Sequence, residues 1–247
     1  MNISDILRKS LADFKTPVFL GLSLLPFIVI SVLFGYLYFN FGGDLLLQIQ
    51  IALDAGRVPF LDPAKHPWLT YVLTFSFFKW VFTIFFYLLG IIIVIVFSVI
   101  IAGIIIGFFT PLIVKTIQKK HYKEFKFTNK DFTFIASIPY FLKIITVFLI
   151  LGFIALIFMF VPALNFIAIN IPFFYLFHNF MILDVGSNIV SKDEFKKITK
   201  KYKTLFRSTT AILYSISLVP VLGVFMQVFY VIVLAHEFFQ KAEQERL

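Results

Sequence analysis

Few residues in this chain are equipped to bind a solute, and several of them lie beside two proline breaks. Asn165 and Asn170 follow Pro162 in the stretch that opens Phe160-Val-Pro-Ala-Leu-Asn-Phe. Gln227 follows Pro220 in the stretch that opens Leu218-Val-Pro-Val-Leu-Gly-Val, and Arg207-Ser208-Thr209-Thr210 stands at the start of that second run. Polar side chains inside apolar stretches are expensive and have to be accounted for. Two accounts stand. Either the breaks bring helix ends and amides together around a solute path, or the amides cap backbone groups that the breaks leave without partners. One residue can do both. If a helix begins at Arg207, a guanidinium, three hydroxyls and free N–H groups form an anion site; the plainer reading is a membrane-edge arginine beside small residues. Asn165, Asn170, Arg207, Ser208 and Thr209 are therefore the anion-binding candidates. His178 and Asn179 lie further along the third apolar run, and Lys143, after Pro139, is placed to snorkel.

Other chemistries find no support. There is no cysteine, which excludes disulfides, thiol catalysis and Cys-ligated metals. No phosphate-binding loop, dinucleotide fingerprint or HExxH spacing is present. The histidines His66, His121, His178 and His236 stand far apart, and spacing alone says nothing about a cluster in three dimensions. No cofactor and no enzymatic activity are expected.

The elements that must position these residues are apolar. The 247-residue chain is 60% hydrophobic and 14% charged, with mean hydropathy +0.97, which marks an integral membrane protein. Its 36 phenylalanines fit a lipid-facing surface. Four runs carry no charge: Thr16–Gly43, Trp80–Val114, Ile144–Leu183 and Ser208–His236. A bilayer core takes about 20 helical residues. The first run is one span, long enough to remain uncleaved. The second is too long for an upright span and must tilt, kink or project. The third can pass twice, turning at Pro162. The fourth has short arms about Pro220, which flanking residues must lengthen if they are to cross; otherwise they form a re-entrant pair.

The formal charge is +9, and the basic residues lie beside apolar segments, which argues for membrane topology rather than nucleic acid. Seven lysines separate the second and third runs, and six lysines with Arg207 separate the third and fourth. This bias predicts cytoplasmic N- and C-termini, one span out, one span back, and two hairpins that leave and re-enter on the cytoplasmic side. The chain reads as one membrane domain, 1–247, with a span at 16–43, an outer segment at 44–79, a long span at 80–114 and hairpins at 144–183 and 208–236. The basic loops 115–143 and 184–207 are expected to contact anionic lipid, with an amphipathic helix between Asn188 and Arg207. In the outer segment, Asp44 reads as an N-cap for a short helix through Leu53 that Gly56 ends. Pro59, Pro63 and Pro67 then extend the chain, with Trp68, Tyr71 and Trp80 as interfacial anchors. Gly103-Ile-Ile-Ile-Gly107 allows close helix approach, either within the chain or in a homo-oligomer.

The order of these features resembles the EI24/CysZ membrane-protein family. Pro17 and Pro26 look like the family's early proline pair. The Val-Pro-Ala-Leu-Asn turn leads through an aromatic hairpin to Leu183-Asp184, then to a basic stretch and a second turn at Val219-Pro-Val-Leu-Gly. The resemblance implies an all-α inner-membrane protein with two long transmembrane helices and two helical hairpins of full or partial depth. It also implies sulfate uptake in a bacterium. Leu20 and Gly21 stand where the family's permeases carry an arginine pair, so no sulfate ligand is carried over from that motif. The expected function is passage of a small anion such as sulfate, without ATP hydrolysis. The alternative is a non-transporting protein that organises lipids or partner proteins through Lys192–Arg207.

Overall fold

The computed structural model describes residues 3–55, 65, 68, 72, 75–158, 161 and 164–247, without the side chains of Phe134 and Pro220. The turn proline Pro162 and the outer-segment residues Gly56, Pro59, Pro63, Pro67 and Tyr71 lie outside the described residues. Among those described, the chain is helical and has no strand.

The helices are α1 (Ile3–Phe14), α2 (Pro17–Leu37), α3 (Gly43–Asp54), α4 (Ser76–Phe108), α5 (Thr110–His121) and α6 (Phe134–Phe158). They continue as α7 (Asn165–Ser187), α8 (Lys192–Lys201), α9 (Lys203–Ser217), α10 (Pro220–Phe225) and α11 (Gln227–Arg246). Four helices are long and apolar enough to cross a membrane: Pro17–Asp54, Ser76–Phe108, Ile135–Phe158 and Asn165–Ser187. The third charge-free run thus supplies two helices of crossing length.

Asp44 is not an N-cap. A π-helical turn at Tyr38–Gly42 joins α2 to α3 with helical backbone at both Gly42 and Gly43, so the helix runs through 38 residues. At about 1.5 Å per residue that is roughly 57 Å, well beyond a hydrocarbon core of about 30 Å. Apolar residues on both sides of the glycine pair sustain the helix against the weakening that two glycines impose.

The chain divides into two compact units, Leu25–Ala102 and a second formed by Met1–Leu24 with Gly103–Leu247. In Leu25–Ala102, Tyr38 stacks on Phe86 at 6.0 Å and donates a hydrogen bond to its carbonyl oxygen at 2.9 Å. Gly90 permits this approach: a Cβ there would lie 1.9 Å from the Tyr38 ring. Lys79 pairs with Asp54, and Gln50 Nε2 donates to Thr83 Oγ1 at 3.0 Å.

The other unit is built around α11. Every residue from Val228 to Phe239 is buried, including the polar His236 and Glu237. Helices α1, α5, α7 and α8 pack against it, and α6 pairs with α7 as a hairpin. Gly186 lets α7 approach closely, since a Cβ there would fall 2.7 Å from both Phe195 of α8 and Phe238 of α11. Helix α8 starts with a capping box: Ser191 Oγ accepts from the Glu194 N–H at 3.3 Å, while Glu194 accepts from the Ser191 N–H at 3.3 Å. At its far side, Arg246 of α11 donates to both carboxylate oxygens of Glu194, at 2.8 and 3.1 Å. It also donates to the Lys126 carbonyl and Thr128 Oγ1 and lies over the Phe125 ring at 4.3 Å.

Candidate functional site: a basic pocket beside the α6–α7 hairpin

Helices α6, α7, α8 and α9 enclose a pocket of about 650 Å³. Lys143 of α6, Lys200 of α8, and Lys203 and Arg207 of α9 all line it. Their origin is local. Helix α8 is amphipathic, burying Phe195 and Ile198 and leaving its lysines outside. A single non-helical residue, Tyr202, then separates it from α9, which sets Lys200, Lys203 and Arg207 around one opening. No carboxylate lines the pocket, and among the described residues none of the four cations has an acidic partner. Four like charges converging without counter-charge repel one another and favour an anion between them.

Polar groups continue inward from this rim. Asn179 Nδ2 donates to the Tyr175 carbonyl at 2.7 Å. His178 Nδ1 lies 2.6 Å from Thr210 Oγ1, whose hydroxyl donates to the Phe206 carbonyl at 2.7 Å. With that hydroxyl proton committed, Nδ1–H is the donor to Thr210. The remaining wall is apolar and includes Ile144, Leu151 and Ile171. From Leu183 to Ile171 the lining follows α7 for about 18 Å. The pocket is thus a cationic mouth that grades into an apolar groove.

The structure separates the sequence candidates. Arg207 lines the pocket. Ser208 is exposed, next to Arg207 but outside the lining. Thr209 is fully buried and donates to Glu237 Oε1, so it serves packing between α9 and α11. Asn170 spends its amide on structure: Nδ2 donates to the Phe166 carbonyl at 2.8 Å, and Oδ1 accepts from Tyr214 Oη at 2.8 Å. Asn165 is the first residue of α7, half-buried, and is not part of the lining. The helix does not begin at Arg207. Helix α9 starts at Lys203, so the N–H groups from Arg207 to Thr210 belong to the helix interior and are not free for an anion. Gly103 faces Gln227 and Val224, with a virtual Cβ 3.5 Å from Gln227 Oε1, whereas Gly107 meets nothing within 4 Å.

The sequence places Lys200 and Lys203 in an amphipathic basic segment and Lys143 at a membrane edge, but it does not show that they converge on one pocket. One signal that would have placed them was available: Ser191-Lys-Asp-Glu194 is a capping-box pattern that starts a helix and fixes which lysines share a face.

The model of the family described as sulfate transporter CysZ/etoposide-induced protein 2.4 matches residues 6–226. The chain belongs to the EI24/CysZ family. The match spans all four helices of crossing length and every pocket residue. No curated protein and no solved structure matches the chain. As a member of the EI24/CysZ family, it is a membrane protein with several apolar helices.

Proposed function

We propose that this EI24/CysZ-family protein passes a small anion, with sulfate as the leading candidate, across a bacterial inner membrane. Its N- and C-termini are cytoplasmic, and it works without ATP hydrolysis and is not an enzyme. The observation that carries this reading is the pocket whose four cations have no acidic partner among the described residues. Family membership supports the same substrate class. Lys143, Lys200, Lys203 and Arg207 attract and hold the anion at the mouth of the pocket. All four cations are exposed, so each contributes modestly. Neutralising two of them weakens anion binding by roughly 2- to 30-fold, from about 0.2–1 kcal/mol for each exposed pair.

The test is radiolabelled sulfate uptake in proteoliposomes. Uptake above that of empty vesicles, reduced several-fold in Lys143→Gln/Arg207→Gln, supports the proposal. Uptake equal to empty vesicles sinks it for sulfate.

A second reading rests on one observation. Leu151 and Ile171 line both the basic pocket and an adjoining apolar cleft of about 300 Å³. A phosphate headgroup at the cations and an acyl chain in the cleft would fit the two together, as an anionic-lipid site needs. Retention of anionic lipid without sulfate flux would favour this reading.

A further inference from the structure

We propose that Asp13, His121 and His236 form a binding site for a divalent transition metal of the zinc class, separate from the basic pocket. The three residues come from α1, α5 and α11, and packing of α1 and α5 against α11 brings them together. One donor atom from each lies within 4.8 Å of the other two. Asp13 Oδ2 is 2.9 Å from His121 Nε2 and 2.9 Å from His236 Nε2. Donors on a tetrahedral zinc, with bonds of about 2.0–2.2 Å, stand roughly 3.3 Å apart. For both Asp13–His pairs, a few tenths of an ångström of spreading reaches that spacing. Asp13 and His236 are essentially inaccessible, whereas His121 keeps 21% of its side chain exposed. The exposed side leaves a coordination position for water. Two imidazoles and one carboxylate form a donor set suited to zinc and its divalent neighbours.

A second observation concerns the outer shell. Tyr122 Oη lies 3.1 Å from His236 Nδ1 and 3.5 Å from the His236 carbonyl oxygen. Without metal, His236 Nε2–H donates to Asp13 and the phenol donates to Nδ1. With metal on Nε2, the imidazole proton resides on Nδ1 and donates to Tyr122 Oη, and the phenol turns its own proton to the carbonyl. Both states keep every proton hydrogen-bonded. Such a partner on the second ring nitrogen is what orients metal-binding histidines.

Lys120 opposes the metal. Its ammonium sits 2.5 Å from Asp13 Oδ1, and its side chain is 48% exposed. It supplies cationic charge where a metal would, and it can swing into solvent when the metal binds. Removing it should therefore tighten binding, an effect that a purely structural hydrogen-bond cluster does not predict.

The experiment uses full-length, tag-free protein in detergent, stripped with EDTA and titrated with Co2+, then Zn2+. The expected result is one Co2+ per chain with the intense visible bands of a four-coordinate site, bleached by Zn2+. His121→Gln should weaken Co2+ binding at least 10-fold, and Lys120→Gln should tighten it several-fold. Zn2+ should raise the melting temperature of the wild type, as preferential binding to the folded state requires. Absence of stoichiometric cobalt, six-coordinate spectra only, or binding unchanged in His121→Gln overturns the proposal. Should His121→Gln not fold, Lys120→Gln decides: tighter binding supports the site, and unchanged or weaker binding overturns it.

Discussion

Replacing Arg246 with alanine tests the polar clasp between α11 and α8. Arg246 holds the Glu194 carboxyl well below its ordinary 4.5, at about 2; burial opposes this, while Thr128 and the Ser191 backbone add to it. At about 1.4 kcal/mol per pH unit, the whole effect is worth at most about 3.5 kcal/mol at neutral pH. That ceiling is shared among several partners, and Arg246 and Glu194 keep 28% and 27% of their side chains exposed, so solvent screens part of it. Stacking on Phe125 returns about 0.5–1 kcal/mol. Arg246→Ala should therefore cost about 2 kcal/mol, or about 4–8 °C in apparent melting temperature for a chain of this size. The sign of the pH dependence follows from the depressed value. The contribution is complete above 4.5 and disappears as pH falls toward 2, so at pH 3 less than half should remain. The assay is thermal unfolding of wild type and variant in the same detergent, at one scan rate, at pH 7.5 and pH 3. A penalty below about 0.5 kcal/mol at pH 7.5, or one unchanged at pH 3, would refute the reasoning.

Two further outcomes are expected from the packing. Gly186→Ala should destabilise by about 1–3 kcal/mol, because the new methyl meets the rings of Phe195 and Phe238 at 2.7 Å; an unchanged melting temperature would show that α7 can withdraw freely. Thr209→Val should cost about 1–3 kcal/mol by removing the donor to buried Glu237, whose other carboxylate oxygen has no hydrogen-bond partner among the described residues. Ser208→Ala, one position away and exposed, should stay near zero in the same melts.

The apolar scaffold could be read from the sequence because bilayer crossing demands long uncharged runs, and each such run leaves a mark. The pair α6 and α7 follows from the 40 uncharged residues between Lys143 and Asp184. Helix ends were less legible. A helix start at Arg207 is one of two readings the sequence leaves open, and since helices accept lysine readily, α9 begins four residues earlier. At Asp44 a favourable capping residue lost to uninterrupted helical backbone through two glycines. Of the five anion-binding candidates, only Arg207 lines the pocket, beside Lys143, His178 and Asn179, which the sequence marks as polar residues in or next to the third run. Asn170 and Thr209 proved to be structural because their partners, Tyr214 and Glu237, lie on other helices and are invisible to spacing. The histidine–aspartate cluster was hidden for the same reason.

The hydrogen bond from His236 to Asp13 joins positions 223 residues apart. At a typical synthesis rate of about 5–20 residues per second, Asp13 waits roughly 11–45 s for its partner. During that interval α1 has no α11 to cover Ile6 and Phe14, which are buried in the finished unit. Completion of this unit is set by the arrival of α11 rather than by membrane entry of the first span.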